Sequence, residues 1–167
     1  ILFNKTNTIP NILFVSAKSI EKKRSFKIPK KMWLKNCLLA PKIKEVDIII
    51  ELIGGSEGVA KKLVFEALKN KKHVITANKA LIAKYGDELA KIAEKNKVNL
   101  EFEAAVCGGV PIIRSLKEGL IANKISKIYG IFNGTSNYIL STMEKQNNSF
   151  KEVLNNAKKL GYAEANP

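Results

Sequence analysis

The sequence predicts an α/β fold built around a parallel sheet. Short apolar runs rich in β-branched residues alternate along the chain with longer segments of helical periodicity, and Gly, Asn or Pro residues separate them. Strands and helices that alternate at this spacing form βαβ units, and their parallel sheet is expected to carry helices on both faces. The 167 residues are enough for one domain and part of a second.

The first part of the chain carries most of this pattern. We expect four strands, at residues 12–17, 46–52, 73–76 and 100–106. Between them, apolar residues recur every three or four positions in three segments. The predicted helices are one that contains Trp33 and Leu39, one that Ser56 caps and Asn70 ends, and one over residues 79–95.

The character of the sequence changes after Pro111. We expect a helix at residues 112–120, a strand at 125–132, a helix that Thr135 caps, and a helix at 150–160. One strand among helices does not close a sheet, so this part indicates the start of an α+β domain. The predicted domains are therefore residues 1–105 and 106–167.

The chain is strongly basic, with 29 Lys and Arg residues against 15 Asp and Glu residues and a formal net charge of +14. Such a charge favours nucleic-acid phosphates, and a basic nucleic-acid-binding domain with residues 18–44 as its patch stays an alternative. Only Arg24 and Arg114 can form bidentate forks, however, and the Lys residues are spread along the chain. We therefore interpret the charge as a property of the surface and expect no nucleic-acid partner.

Cysteine and histidine usage limits the chemistry. Cys37 and Cys107 form neither a disulfide framework nor a CxxC motif, which favours a reducing, cytoplasmic setting. A catalytic triad or a multi-His metal site would depend on His73 alone, because it is the only histidine. The first residues do not form a signal peptide, and no apolar run approaches the roughly 20 residues of a membrane span. We expect no membrane partner.

Parallel sheets bind ligands at the carboxyl ends of their strands, which directs attention to the segments that follow each strand. Gly54 and Gly55 let a ligand approach the backbone closely, and an ordinary tight turn is the alternative. Lys79 begins a helix, where the macrodipole disfavours a cation, so we expect a ligand anion or a proton-transfer role there. Asn78 is the expected cap of that helix.

Glu103 lies near the end of an apolar strand, where a carboxylate needs a partner. The Gly-Gly-Val-Pro turn that follows exposes several carbonyl oxygens. A carboxylate beside irregular backbone carbonyls is typical of a hard-cation site. Alternatively, Glu103 pairs with Lys79, with Arg114 or with a helix N-terminus.

Five segments in this order and spacing resemble the homoserine dehydrogenase family. They are Glu51-Leu52-Ile53-Gly54-Gly55, His73-Val74-Ile75-Thr76-Ala77-Asn78-Lys79-Ala80-Leu81, residues 102–111, Asn133-Gly134-Thr135-Ser136-Asn137-Tyr138 and Leu160-Gly161-Tyr162-Ala163-Glu164. The resemblance is strong from Val46 to the end of the chain and loose before it. It implies a Rossmann-type domain followed by the start of the family's α+β catalytic and dimerisation domain.

The resemblance also implies a reaction and its residues. The family transfers a hydride between a nicotinamide cofactor and C4 of L-homoserine or L-aspartate 4-semialdehyde, in threonine, methionine and isoleucine biosynthesis. Lys79 would take part in proton handling beside cofactor and substrate. Glu164 would bind the amino group of the substrate, and Thr135 and Tyr162 would line the same pocket.

Cofactor and cation sites follow from the same resemblance. The residues implied in cofactor binding are Gly54, Gly55, Asn78, Lys79, Gly161 and Lys18. The carboxylate of Glu103 and the backbone of Val106, Gly108 and Val110 would hold a monovalent cation, expected to be Na⁺. Lys18 and Ser19 stand where the family often has Arg-Asp, and Lys22 and Arg24 lie nearby, so a 2′-phosphate is favoured and we expect NADP rather than NAD.

The sequence departs from the family at both ends. It contains no G-x-G-x-x-G motif, no glycine-rich turn before Ile12, and no Asp and Lys beyond the Glu164 segment. We therefore expect a fragment that is inactive by itself, from an enzyme that the resemblance implies to be a homodimer or homotetramer. Another Rossmann-type dehydrogenase, such as aspartate-semialdehyde dehydrogenase, is an alternative that would need Cys107 with His73 as its partner.

Overall fold

The computed structural model describes residues 9–108 and 110–163. The chain divides into two compact units, the first ending at Glu101 and the second beginning at Phe102. No helix within the described residues is long and apolar enough to cross a membrane.

A three-stranded parallel sheet forms the centre of the first unit. Its strands are β1 (Ile48–Glu51), β2 (His73–Thr76) and β3 (Leu100–Glu101), arranged in the order β1-β2-β3. Helix α1 (Val59–Lys69) connects β1 to β2, and helix α2 (Lys79–Asn96) connects β2 to β3. This alternation confirms the predicted α/β class. The bounds of β2 are those predicted, and α2 extends one residue further than expected.

The helices of this unit pack against one face of the sheet. Ile49, Val74 and Leu100 lie side by side in register on that face and are buried, together with Leu68 of α1 and Leu81 of α2. On the other face the alternate side chains are exposed; these are Ile48, Ile50 and Ile75. The expectation of helices on both faces is therefore wrong for the described residues. Both helices contact each other, which places them on the same side.

The segment before β1 differs most from expectation. The strand predicted at residues 12–17 is wrong: only Val15 forms an isolated parallel bridge, to Trp33, through Val15 N–H to Met32 O at 2.8 Å and Leu34 N–H to Val15 O at 2.9 Å. The single amphipathic helix predicted around Trp33 is replaced by two 3₁₀ helices, Lys30–Met32 and Cys37–Lys42. The second of these contains Pro41, whose missing N–H favours a short helix over a continuous one.

Two element boundaries in the first unit also differ. Helix α1 begins at Val59 with Gly58 as its N-cap and no capping side chain, so the predicted cap at Ser56 is wrong. The predicted stop at Asn70 is confirmed, since Asn70 is the C-cap. Strand β3 ends at Glu101 rather than residue 106, because its partner β2 ends one position beyond the Ile75–Glu101 pair.

The second unit is helical where it is regular. A 3₁₀ helix (Glu103–Ala105) precedes α3 (Ile112–Arg114), which continues as a π-helix (Ser115–Gly119). Helices α4 (Gly134–Gln146) and α5 (Phe150–Lys159) pack together around Ile139 and Val153. The strand predicted at residues 125–132 is wrong; this segment forms no strand and is exposed throughout.

The caps of the last two helices explain their start points. Asn133, not Thr135 as predicted, caps α4 by accepting a hydrogen bond from Ser136 N–H at 2.6 Å. Ser149 caps α5 in a capping box, in which Glu152 accepts from the Ser149 backbone N–H at 3.0 Å. The predicted helix at residues 150–160 is thus confirmed, ending one residue earlier.

Candidate functional site

The carboxyl edge of the first unit's sheet brings two loops together. Glu51 ends β1 and Thr76 ends β2, and the two residues are paired in register. The loop after β1 contains Gly54 and Gly55, and the loop after β2 leads through Asn78 into α2. Because the strands are adjacent and parallel, both loops lie at the same edge, as the sequence predicts.

The glycine turn has a backbone shape that favours glycine. Gly54 and Gly55 have φ angles of +85° and +80°, a region that side-chain-bearing residues rarely adopt. A Cβ atom placed on either glycine meets no atom within 4 Å. The requirement for glycine is therefore conformational, and the turn leaves open space into which a ligand can approach the backbone.

Asn78 connects the two loops. Its side-chain nitrogen donates to the Gly55 carbonyl oxygen at 2.7 Å, and its side-chain oxygen accepts from Leu81 N–H at 3.1 Å. The second contact confirms the predicted N-cap of α2. The first contact, which the sequence does not reveal, holds the glycine turn against the start of the helix.

Lys79 follows directly as the first residue of α2, and its side chain is exposed. Within the described residues, no carboxylate forms an ion pair with its ammonium group. A cation at this end of a helix is opposed by the macrodipole. The arrangement leaves Lys79 exposed at the sheet edge that also carries the glycine turn, where an anionic or proton-bearing ligand can reach it.

Glu51 is a part of this edge to which the sequence alone assigns no role. Its carboxylate is fully buried and accepts from the N–H groups of Ile53 at 2.7 Å and Gly54 at 2.9 Å. Its second oxygen accepts from the Thr76 hydroxyl at 2.6 Å. The signal in the sequence is its spacing: Glu51 stands two residues after the buried Ile49, which places it on the covered face. The Gly54 N–H is thus already bonded inside the protein.

In the second unit, the Glu103 carboxylate caps a helix. One oxygen accepts from Ile113 N–H at 2.9 Å and the other from Arg114 N–H at 2.8 Å. Of the alternatives for Glu103, the structure therefore contains the pairing with a helix N-terminus. A carboxylate has about four lone-pair sites, so two acceptor sites remain available for a cation.

The predicted ligands, the Glu103 carboxylate and three backbone carbonyls, offer oxygen atoms only, which fits a hard cation better than a soft transition metal. Val106 extends from the 3₁₀ helix, and Gly108 has a φ of +60°. The Val110 carbonyl accepts from Ile112 N–H at 2.8 Å and keeps one lone pair. The described residues contain no cluster of three or more His, Cys, Asp or Glu side chains. The cation site stays a prediction.

Thr135 and Tyr162, two predicted substrate-pocket residues, are in contact. The Thr135 hydroxyl donates to the Tyr162 carbonyl oxygen, and the Tyr162 ring lies 5.0 Å from that of Tyr138, measured between centroids. Both tyrosines line a shallow cleft along α4. Glu164, the predicted ligand of the substrate amino group, lies outside the described residues.

Gly161 is the C′ residue of α5. Its φ is +78°, its N–H donates to Lys158 O at 3.2 Å, and the N–H of Tyr162 donates to Ala157 O at 2.9 Å. This pair of hydrogen bonds is the Schellman motif, which ends a helix at a left-handed residue. Gly161 therefore has a structural role besides any contact with a cofactor.

Among the basic residues near the start of the described chain, Arg24 is hydrogen-bonded within its loop, whereas Lys18 and Lys22 are exposed to solvent. The Arg24 guanidinium donates to the carbonyl oxygens of Ser19 at 2.7 Å, Lys22 at 2.8 Å and Ile20 at 3.0 Å. Arg24 is therefore used to fold its own loop. The side chains of Lys18 and Lys22 are exposed.

An α/β unit with parallel strands and a ligand-accessible glycine turn at their carboxyl edge defines a nucleotide-binding domain of the Rossmann type. Comparison with known proteins gives the family. Residues 11–103 match the family model described as the NAD binding domain of homoserine dehydrogenase, and residues 111–167 match the model described as homoserine dehydrogenase. The chain belongs to the homoserine dehydrogenase family.

Individual relatives agree with this assignment. The chain is similar to the homoserine dehydrogenases of Neisseria gonorrhoeae, with 55% identity over 74% of this chain and 28% of the relative, and of Bacillus subtilis, with 46% identity over 92% and 35%. It therefore spans about a third of the length of these curated relatives. Among solved structures, a homoserine dehydrogenase from Thiobacillus denitrificans matches with a TM-score of 0.74 and 50% identity, over 83% of this chain and 32% of that one.

A second solved structure bears on the cofactor. A hyperthermophilic archaeal homoserine dehydrogenase in complex with NADPH matches with a TM-score of 0.67 and 30% identity, over 80% of this chain and 41% of that one. The family model described as an NAD binding domain matches residues 11–103 of this chain. The comparisons favour neither a nucleic-acid-binding domain nor a different dehydrogenase. A different dehydrogenase would need Cys107 and His73 as a pair. In the structure the Cys107 thiol donates to Phe132 O, and Nδ1 of His73 accepts from Asn99 N–H.

Proposed function

We propose that this chain contains the cofactor site and part of the substrate site of an NAD(P)-dependent enzyme. The enzyme interconverts L-homoserine and L-aspartate 4-semialdehyde. The observation that carries the proposal is the hydrogen bond from Asn78 to Gly55, which joins two family segments at the carboxyl edge of the sheet. The family membership of the chain supports the same activity.

The bound nicotinamide would accept or supply the hydride at C4 of the substrate. Oxidation of the C4 alcohol also releases its hydroxyl proton. We assign the acceptance of that proton to Nζ of Lys79 as the neutral amine, and the supply of a proton in the reverse direction to its ammonium form. Its exposure at the start of α2 keeps Nζ free to move toward a substrate. Gly54 and Gly55 would admit the cofactor to the backbone, and Asn78 would hold the turn that carries them.

The second unit would supply the cation and substrate contacts. Glu103, with the backbone of Val106, Gly108 and Val110, would hold Na⁺. The open acceptor sites of the Glu103 carboxylate support this assignment. The residues proposed to contact the substrate are Glu164, Thr135 and Tyr162, and Gly161 is proposed to contact the cofactor. In such a site the carboxylate of Glu164 would pair with the substrate amino group.

For the cofactor we propose NADP over NAD, recognised at its 2′-phosphate by Lys18 and Lys22. Their exposure supports this choice. Changing both lysines to alanine is expected to raise the KM for NADP⁺ and leave that for NAD⁺ nearly unchanged. We further propose that the enzyme is cytoplasmic and forms a homodimer or homotetramer. Light scattering on the purified protein tests the oligomeric state.

The activity is tested on the protein expressed from its complete reading frame. We expect it to reduce NADP⁺ in the presence of L-homoserine and to oxidise NADPH in the presence of L-aspartate 4-semialdehyde. L-serine and L-threonine serve as control substrates, because each carries an amino acid group with a differently placed hydroxyl. Absence of turnover with homoserine by a folded, cofactor-binding protein would contradict the proposed function.

A further inference from the structure

Glu51 is buried at the edge where the cofactor is proposed to bind. No Lys or Arg of the described residues forms an ion pair with it. Its carboxyl oxygens instead accept hydrogen bonds from Ile53 N–H, Gly54 N–H and the Thr76 hydroxyl. Burying a charged or strongly polar group has a cost, so a carboxylate in this place calls for a reason beyond filling space.

The hydrogen bonds around Glu51 have a defined direction. The backbone N–H of Asn78 donates to Thr76 Oγ1 at 3.0 Å, and a backbone N–H can only donate. The Thr76 hydroxyl in turn donates to Glu51 Oε2 at 2.6 Å. Glu51 Oε1 accepts from the glycine turn on the other side. One buried side chain thus links the loop that carries Gly54 to the loop that carries Asn78.

We infer that Glu51 is a positioning residue for the cofactor site: through the Thr76 hydroxyl it sets the spacing between the glycine turn and the start of α2. The inference rests on the proposed function, because it assumes that a nicotinamide cofactor binds at this edge. Both loops are also joined by the hydrogen bond from the Asn78 side chain to Gly55 O. The inner link through Glu51 has the further effect of turning the Gly54 N–H inward, so that a ligand meets the outer side of the turn.

Gln in place of Glu51 weakens the link with little change of shape. The amide has one oxygen and one NH₂ group. If the oxygen faces the turn, the NH₂ group donates to the second lone pair of Thr76 Oγ1, and the Thr76 hydroxyl proton loses its acceptor. If the oxygen faces Thr76, the NH₂ group opposes the N–H groups of Ile53 and Gly54. Either orientation therefore leaves one donor without its acceptor.

Thr76 offers a matched pair of variants. Thr76→Val keeps the size and branching of the side chain and removes the hydroxyl, whereas Thr76→Ser keeps the hydroxyl. We expect Glu51→Gln and Thr76→Val each to weaken NADPH binding by about tenfold or more, because loss of a residue that orients a site typically costs this much. Thr76→Ser is expected to recover most of that affinity. In the double variant Glu51→Gln/Thr76→Val, the loss should be smaller than the product of the two single losses.

The measurements separate positioning from stability. NADPH affinity is measured by nicotinamide fluorescence, and amide hydrogen exchange is followed at residues 52–58 and 76–81. Both segments should exchange faster in Glu51→Gln and Thr76→Val. Val64→Ala, in the buried face of α1, is the control: it should lower the melting temperature and leave NADPH affinity unchanged. The KM for NADP⁺ should rise more than kcat falls.

Equal NADPH affinity in wild-type, Thr76→Val and Thr76→Ser proteins would overturn the inference, and this comparison holds even if Glu51→Gln does not fold. Exchange that quickens only in the loop containing the substitution would also overturn it. A different result would separate this inference from the proposed function. If the NADPH affinities of the wild-type protein and its variants differ as expected but the wild-type protein does not oxidise homoserine, the proposed substrate is wrong and the role of Glu51 stands.

Discussion

The side-chain nitrogen of Asn78 lies 2.7 Å from the carbonyl oxygen of Gly55, although 23 residues separate the two in the chain. This contact fastens the turn after β1 to the first turn of α2. Because the same side chain also caps α2 through Leu81 N–H, one residue holds both the ligand-accessible backbone and the helix that presents Lys79.

Replacing Asn78 with Asp separates these two functions. Aspartate still accepts from Leu81 N–H but cannot donate to Gly55 O, and the two oxygens repel each other. We expect the α2 cap to persist and the unfolding free energy to fall by about 0.5–1.5 kcal/mol, the usual net contribution of one hydrogen bond. Cofactor affinity should fall as well. Asn78→Ala also removes the cap and should be less stable than Asn78→Asp; equal cofactor affinity in all three proteins would contradict the proposed link.

Lys79→Ala tests the proposed proton-transfer residue. Loss of a positioned acid or base is expected to lower kcat by about 10²–10⁴-fold. Stability should stay the same or rise by about 0.3–1 kcal/mol, because a cation is removed from the N-terminus of α2. The control is Lys91→Ala, which removes an exposed cation further along the same helix. A near-normal kcat for Lys79→Ala would refute the assigned role.

Glu103→Ala tests the proposed cation site. We expect the wild-type activity to respond to NaCl more than to choline chloride at equal ionic strength, and the variant to lose this difference. Because Ile113 N–H and Arg114 N–H also lose their acceptor, the unfolding free energy should fall by about 0.5–2 kcal/mol.

Glu118→Ala controls for the loss of an acidic side chain, because the Glu118 carboxylate forms an ion pair with the exposed Arg114 side chain. Its selective response to sodium should match that of the wild-type protein. A sodium response that survives in Glu103→Ala would argue against the site.

Glu57 gives a pH-dependent prediction. The ammonium of Lys84 at 2.6 Å, the Tyr85 hydroxyl and the Lys61 ammonium at 3.3 Å lower the Glu57 pKa from its ordinary value of 4.5 to about 2. A carboxyl group with a lowered pKa stabilises the folded state above its unfolded pKa, and this stabilisation is lost as the pH falls from about 4.5 to about 2. Because Glu57 is exposed, the effect should be small and sensitive to salt.

Urea unfolding of wild-type and Glu57→Gln proteins across this pH range measures the effect. We expect the stability difference between the two to shrink toward zero as the pH approaches 2. Glu88→Gln, on the exposed face of α2, should show no comparable change. A stability difference that is constant between neutral pH and pH 2 would contradict the role assigned to Glu57.

Gly161 and Gly86 should respond to alanine in opposite directions. Gly161 has a φ of +78°, and a left-handed alanine costs about 1–2 kcal/mol, so Gly161→Ala should destabilise the protein. Gly86 lies inside α2, where a Cβ atom would meet only Ile82 Cγ2 at 3.6 Å, an ordinary contact. Gly86→Ala should therefore stabilise the protein by about 0.5–1 kcal/mol. Calorimetric unfolding of each variant measures both changes.

Local patterns in the sequence predict much of the first unit. β2, α2 and the cap at Asn78 have the expected positions because each depends on neighbouring residues: an apolar run, helical periodicity, and a side chain that reaches an N–H three positions away. The C′ glycine at Gly161 follows from local geometry in the same way. The motifs that identify the family are also present in the linear sequence.

Long-range partners decide the remainder. Residues 12–17 and 125–132 have the composition of strands, but a strand needs a neighbouring strand to satisfy its backbone, and only Val15 finds a single bridge. The Glu103 carboxylate accepts from the N–H groups of Ile113 and Arg114, ten and eleven residues later. The sequence did not distinguish this helix N-terminus from the other possible partners of Glu103. The role of Glu51 depends on the β1–β2 register, which places it opposite Thr76. By itself the sequence determined the class of fold, the family and the residues available for chemistry; only the tertiary structure decided which of them meet, because hydrogen bonds between distant residues require the register of the sheet.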